Sequence, residues 1–266
     1  MAKKRNLMGV FGALLIFAST MSGCGEVGGY DNGGVSSSLG ISSSSDISSS
    51  SEDASSSSDT ITNPNDSVAY GGQTYRTVKI GEQVWFAENL NYNASGSICY
   101  DERQANCAKY GRLYDWSTAM GLPSSCNSNT CSSQIQSRHK GICPDGWHIP
   151  SNADWANLLN FVDSENNGYG AEEAGRYLKA TSGWNSYDAV VSGNGIDKYG
   201  FSALPGGWYS SSYANFNYIG ENGYWWNTYE YSSYLAYYHY MFYRYEYARW
   251  FYNAKSGLLS VRCIKD

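Results

Sequence analysis

The chain has 266 residues, of which 16 % are charged and 16 % aromatic, with 25 Tyr and nine Trp. Its net charge of −6 leaves no basic face for a nucleic-acid site. Seven cysteines, an odd number, fit an exported protein in which one is used separately and six pair.

Lys3-Lys4-Arg5 followed by residues 7–18 is a basic segment and then an apolar run of about a dozen residues. That run is too short to span a membrane and right for a secretory signal over 1–23. Its end, Met21-Ser22-Gly23-Cys24, resembles the bacterial lipobox, with Met21 where leucine is usual. The expectation is a lipoprotein tied to the bacterial outer membrane through Cys24 and exposed at the cell surface. An ordinary cleaved signal with a stray cysteine is the alternative. Residues 24–66 are rich in serine and glycine and carry seven acids and no base. So little apolar surface does not offset chain entropy, so the segment reads as a disordered tether. A flexible chain of that length averages roughly 35 Å end to end.

The folded part is expected over 67–266. Residues 74–79 and 83–86 read as strands of a hairpin around Ile80-Gly81-Glu82. A cysteine-bearing loop then runs from Cys99 to Cys107. Residues 110–120 read as a helix with Leu113, Trp116 and Met120 on one face. Cys126 and Cys131 bracket a polar Ser/Asn loop. Next comes a short apolar strand that stops at Pro150 and hands over to a helix with Ser151 as N-cap and Asp154 completing a capping box. Trp155, Leu158, Leu159 and Val162 then form one buried stripe at i, i+3, i+4 and i+7. Residues 171–181 read as a further helix with Ala171, Ala174 and Leu178 inward. Beyond Trp184 the pattern changes to glycine-punctuated strands and long loops, at 199–208, 223–227, 234–245 and 258–263.

Six domain cysteines allow fifteen connectivities. Order and proximity favour Cys99–Cys107, Cys126–Cys131 and Cys143–Cys263, the last tying the first half to the far end. The absence of a C-x-x-C and the presence of only three histidines weigh against a zinc cluster.

Four motifs carry a resemblance. Val84-Trp85-Phe86-Ala87-Glu88-Asn89-Leu90-Asn91-Tyr92, Tyr110-Gly111-Arg112-Leu113-Tyr114-Asp115-Trp116, Cys143-Pro144-Asp145-Gly146-Trp147-His148-Ile149-Pro150-Ser151 and Ser260-Val261-Arg262-Cys263 stand in order. Over roughly 70–266 they resemble the Fibrobacter succinogenes major paralogous domain. The resemblance implies an exported bacterial domain distantly similar to the C-type-lectin-like fold and to formylglycine-generating enzymes. The implied fold class is α+β: two helices, short antiparallel sheets and long loops, stapled by disulfides. Fold transfers more safely than activity.

No nucleophile elbow, H-E-x-x-H or P-loop is present, and formylglycine generation needs a redox-active cysteine pair. Cys263 is better used as the partner of Cys143, so no catalytic residue is assigned and an enzyme is not expected. His148 reads as a hydrogen-bonded core residue, and Glu172-Glu173 as a solvated helix face. Residues 208–252 are crowded with rings, more than a core absorbs when each buried Tyr hydroxyl needs a partner. In a strand from Tyr234, even positions give Ala236, Tyr238, Tyr240 and Phe242; odd ones give Tyr237, His239, Met241, Tyr243 and Tyr245. Both faces are aromatic, so alternation leaves open which one is inward. Trp225 and Trp226 read as core. The ligand-binding set is Trp208, Tyr213, Tyr237, His239, Tyr243, Tyr245 and Trp250, for polysaccharide or another surface protein. A structural, self-associating envelope protein and a formylglycine-generating-like enzyme are the alternatives. No cofactor is expected beyond calcium, for which Asn194 and Asp197 are the candidate ligands.

Overall fold

The computed structural model describes residues 66–166, 171–188 and 191–266. The expected signal segment, the expected lipidation site Cys24 and the expected tether up to residue 65 lie outside the described residues. Two glycine turns build the first sheet. Strands β1 (Ser67–Tyr70) and β2 (Gln73–Ile80) meet at Gly71-Gly72, both left-handed at φ 58° and 78°. Strands β2 and β3 (Gln83–Phe86) form the expected hairpin around Gly81, where the Phe161 ring leaves no room for a Cβ.

The helix expected over 110–120 is not formed. Helix α1 (Gln104–Tyr110) runs instead through the loop that the Cys99–Cys107 disulfide closes, and stops at Gly111. There φ is 76°, and a Cβ would lie 2.8 Å from both Asn89 Cβ and the Leu90 carbonyl. Leu113 and Tyr114 continue as single bridges to Ile98 and Leu259. Only the short helix α2 (Trp116–Ala119) follows, capped by the Asp115 carboxylate accepting from Thr118 N–H at 2.8 Å. Leu113, Trp116 and Met120 are all buried, Leu113 in a small cluster with Tyr100 and Leu258 and the other two together in a larger one.

Strand β4 (Trp147–His148) leads to helix α3 (Asn152–Ser164). Its capping box is present, with Ser151 and Asp154 each bonding the other's backbone N–H. Trp155, Leu158, Leu159 and Val162 form the buried stripe as expected. Helix α4 (Ala171–Leu178) buries Ala174 and Leu178 and ends three residues earlier than the pattern predicts. Small hairpins follow: β5 (Ser186–Tyr187) with β6 (Val191–Ser192), and β7 (Trp208–Ser210) with β8 (Asn215–Asn217). Strands β9 (Asn222–Glu230), β10 (Leu235–Phe242) and β11 (Ala248–Ala254) make an antiparallel sheet in the order β11-β10-β9. Residues 258–260 make single bridges, and strand β12 (Ile264–Lys265) inserts between β3 and β4, giving the order β1-β2-β3-β12-β4. Four α-helices are therefore present among the described residues, against the two of the implied fold class and the three read from the pattern. None of them is long and apolar enough to cross a membrane.

Neighbouring residues in both sheets feed different cores. Phe86 and Trp226 pack with Tyr114, Trp116 and Trp147, whereas Trp85 and Trp225 pack with Trp155, Phe201 and Leu178. This two-sided burial is why the strands lack a polar face. All three disulfides form as expected: Cys99–Cys107, Cys126–Cys131 and Cys143–Cys263. The last spans 120 residues of sequence and joins the segment before β4 to the one before β12. Its neighbour Arg262 is fully buried, donates to the Phe201 carbonyl and to Asn89 Oδ1, and lies over the Phe201 ring. Burial pushes its pKa down to about 9.

Candidate ligand-binding groove

Trp225, His239 and Trp250 stand directly opposite one another across β9, β10 and β11. Opposed residues of an antiparallel sheet share a face, so the three form a row running from core to solvent. Trp225 is fully buried, His239 is 4 % exposed and Trp250 is 57 % exposed. His239 lies flat on Trp155 of α3. Tyr237, two residues before His239, continues the face and meets Trp250 edge-on at 5.2 Å. A register shift between Ala236 and Tyr238 breaks the β9–β10 ladder and turns Tyr229 outward, 5.3 Å from Tyr237.

The facing wall is helical. Asn152, Ala156 and Asn160 stand at i, i+4 and i+8 on the exposed side of α3, beside Leu159 of the buried stripe. Between wall and strands lies an open groove of about 900 Å³, floored by His239 and rimmed by Tyr229, Tyr237, Arg249 and Trp250.

The charge in this groove is already matched. Arg249 Nη2 donates to both carboxylate oxygens of Glu172 at 2.6 and 2.7 Å, which raises the guanidinium pKa. Glu172 lies on the solvated face of α4, as expected, and pairs there with Arg249. Below the surface, Asn227 is fully buried. Its Oδ1 accepts from Tyr229 N–H at 2.8 Å and its Nδ2 donates to Asn152 Oδ1 at 2.6 Å. The same Nδ2 lies 3.5 Å from His239 Nδ1. Burial pushes the His239 pKa down to about 3, so the imidazole is neutral.

Of the ligand-binding set, the groove brings together Tyr237, His239 and Trp250. Tyr243 and Tyr245 fall beyond the end of β10, so the alternation predicted through residue 245 stops at Phe242. Both line a separate hollow of about 410 Å³ with Tyr218, Phe242 and Arg244. Buried Lys179 holds that turn by donating to the Phe242 and Tyr245 carbonyls at 3.2 and 3.0 Å. Desolvation lowers its pKa to about 8. Trp208 and Tyr213 belong to the β7–β8 hairpin and do not line the groove; Trp208 is half-buried and Tyr213 is 83 % exposed. His148 is buried and hydrogen-bonded.

The calcium candidates hold loop backbone. Asn194 Oδ1 accepts from Trp184 N–H at 3.0 Å, and the Asp197 carboxylate accepts from Ser202 N–H and Oγ–H at 2.7 and 2.6 Å. Among the described residues no three His, Cys, Asp or Glu side chains gather to hold a metal. Sequence reasoning missed Asn152, Ala156, Asn160, Tyr229 and Arg249. The four-residue spacing of the first three was a readable signal. The bulge that exposes Tyr229 leaves no mark in the alternation.

The family model of the Fibrobacter succinogenes major domain matches residues 78–265. No curated protein and no solved structure matches the chain. With well over half of its length covered, the chain belongs to the Fibrobacter succinogenes major domain family.

Proposed function

We propose that this protein is a lipid-anchored surface lipoprotein whose domain, on a C-type-lectin-like scaffold, binds polysaccharide in the aromatic groove without catalysis. The observation that carries the reading is the pairing of Trp250 and Tyr237, ring edges and faces presented to solvent, with the Asn152 and Asn160 amides across an open groove. Flat rings cover the apolar faces of pyranoses, and planar amides bond their hydroxyls; convergent polar groups in a mostly apolar cleft are the usual make-up of a binding site. The scaffold reading draws on the last strand, β12, which returns between β3 and β4, and on the Cys143–Cys263 disulfide that joins the segments before β4 and β12. Against the formylglycine-generating alternative, Cys263 is bonded to Cys143 and offers no free thiol to a redox pair. A surface-protein ligand is the second reading, favoured by the exposed rings of Trp250 and Phe251 on edge strand β11.

Pull-down of the purified chain on insoluble glucan, with calcium and with chelator, tests the proposal. Retention in both is expected. Absence of retention on every glycan tried rejects carbohydrate and leaves envelope proteins as the ligand class. Retention lost with chelator returns calcium to the account.

A further inference from the structure

His239 offers the groove a donor that the protein itself leaves unused. The Asn227 amide decides which ring nitrogen carries the hydrogen. Its Oδ1 is occupied by Tyr229 N–H, so its NH₂ end faces Asn152 Oδ1 and His239 Nδ1. An NH₂ group only donates, so Nδ1 accepts and the ring hydrogen sits on Nε2 of the neutral imidazole. Nε2 has no partner among the described residues. Nor is it sealed in, for the enclosed side-chain nitrogens without partners are Trp155 Nε1 and Arg262 Nε. His239 lines the groove, and Nε2 is the ring nitrogen that no described residue engages.

We infer that His239 Nε2–H reads a hydroxyl of an uncharged glycan, so that the groove takes neutral saccharides in preference to uronate-bearing or sulfated ones. This rests on the carbohydrate reading above and narrows it to a ligand class. A carboxylate or sulfate entering the groove loses water and needs a cation in return. The one cationic side chain lining it among the described residues, Arg249, is held by Glu172. One neutral N–H does not replace an anion's hydration, whereas it matches a sugar hydroxyl. The Trp155 stack fixes the ring, so the donor is aimed before the ligand arrives. A group that is buried and otherwise unbonded also penalises a ligand lacking the matching hydroxyl.

The chain has three histidines, so ¹⁵N-histidine NMR of the full chain resolves the ring directly. Titration uses soluble β-glucan, xylan and mannan oligosaccharides, with oligogalacturonate as the acidic probe. The expected result is an Nε2–H signal for His239 that shifts saturably with a neutral oligosaccharide and not with the acidic one. His239→Phe is expected to weaken that binding about tenfold or more, the effect of leaving a polar partner unpaired. A neutral oligosaccharide that binds while the His239 signal stays still, and binds His239→Phe equally well, overturns the inference and leaves the carbohydrate reading standing. Tighter binding of oligogalacturonate overturns it too. No binding of any probe removes both readings together.

Discussion

Trp155 and His239 lie face to face, ring centroids 4.5 Å apart and planes within 10°. One residue comes from the first full turn of α3 and the other from the middle of β10, so the stack fastens the groove's helical wall to its floor. Trp155→Ala removes the largest side chain of this contact and leaves a cavity against Trp85, Phe201 and Trp225. The expected cost is about 3–5 kcal/mol in denaturant unfolding. Trp155→Phe is expected to cost much less, because it also deletes the enclosed Nε1–H that has no partner.

The pair was half legible in the sequence. The capping box Ser151–Asp154 and the spacing of Trp155, Leu158, Leu159 and Val162 identify α3 and its buried side, because local chemistry and periodicity agree there. His239 was readable only as one ring among many. The sheet it belongs to is packed on both faces, so Tyr238 and His239 are equally apolar-flanked and alternation carries no direction. The helix predicted over 110–120 failed for a different reason. Leu113, Trp116 and Met120 fall at helical spacing, yet Gly111 is pinned left-handed against Asn89, a tertiary contact that outweighs local pattern.

Buried Lys255 and Glu230 form a second fastening. Lys255 Nζ donates to Glu230 and to the carbonyls of Cys126, Asn129 and Ser233, while Glu230 accepts from the backbone N–H groups of Cys131 and Ser132. Removing one partner strands the other charge in a fully enclosed place. Lys255→Met is therefore expected to destabilise by about 3–5 kcal/mol, measured by denaturant midpoint. The double variant Lys255→Met/Glu230→Gln is expected to lose less than the sum of the two single losses.

The disulfides differ in expected weight. In the chain-entropy model the 120-residue span of Cys143–Cys263 stabilises by about 5 kcal/mol, against about 2 for the five-residue span of Cys126–Cys131. Paired Cys→Ala variants followed by chemical unfolding check the order. Loss of Cys126–Cys131 proving the more damaging contradicts it.

Stability also carries a signature of His148. Burial disfavours the imidazolium, but hydrogen bonds and charges from Asp154 and Asp266 outweigh it, and the pKa is raised. Asp266 Oδ1 lies 2.7 Å from Nδ1, and Asp154 Oδ2 3.5 Å from Nε2. A group with a raised folded-state pKa stabilises fully below its unfolded value, near 6.5, and less as pH climbs through the folded value. The thermal midpoint is expected to fall as pH rises from about 6 towards 9, and to fall less in His148→Gln. Equal slopes for both proteins exclude His148 as the source. Asp154 works the opposite way: its pKa is lowered despite burial by His148 and Ser151. Its contribution is present above the ordinary carboxylate range and is lost as pH falls through its folded value.

The location of ligand binding separates two exposed rings. Trp250 lines the groove, whereas Tyr213, exposed between β7 and β8, does not. Retention of the full chain on insoluble glucan, compared between Trp250→Ala and Tyr213→Ala, tests the groove as the binding site most directly. The account predicts that Trp250→Ala weakens retention roughly fivefold or more, about 1 kcal/mol of ring contact, and that Tyr213→Ala leaves it unchanged. Undiminished retention of Trp250→Ala, with loss in Tyr213→Ala, would contradict it.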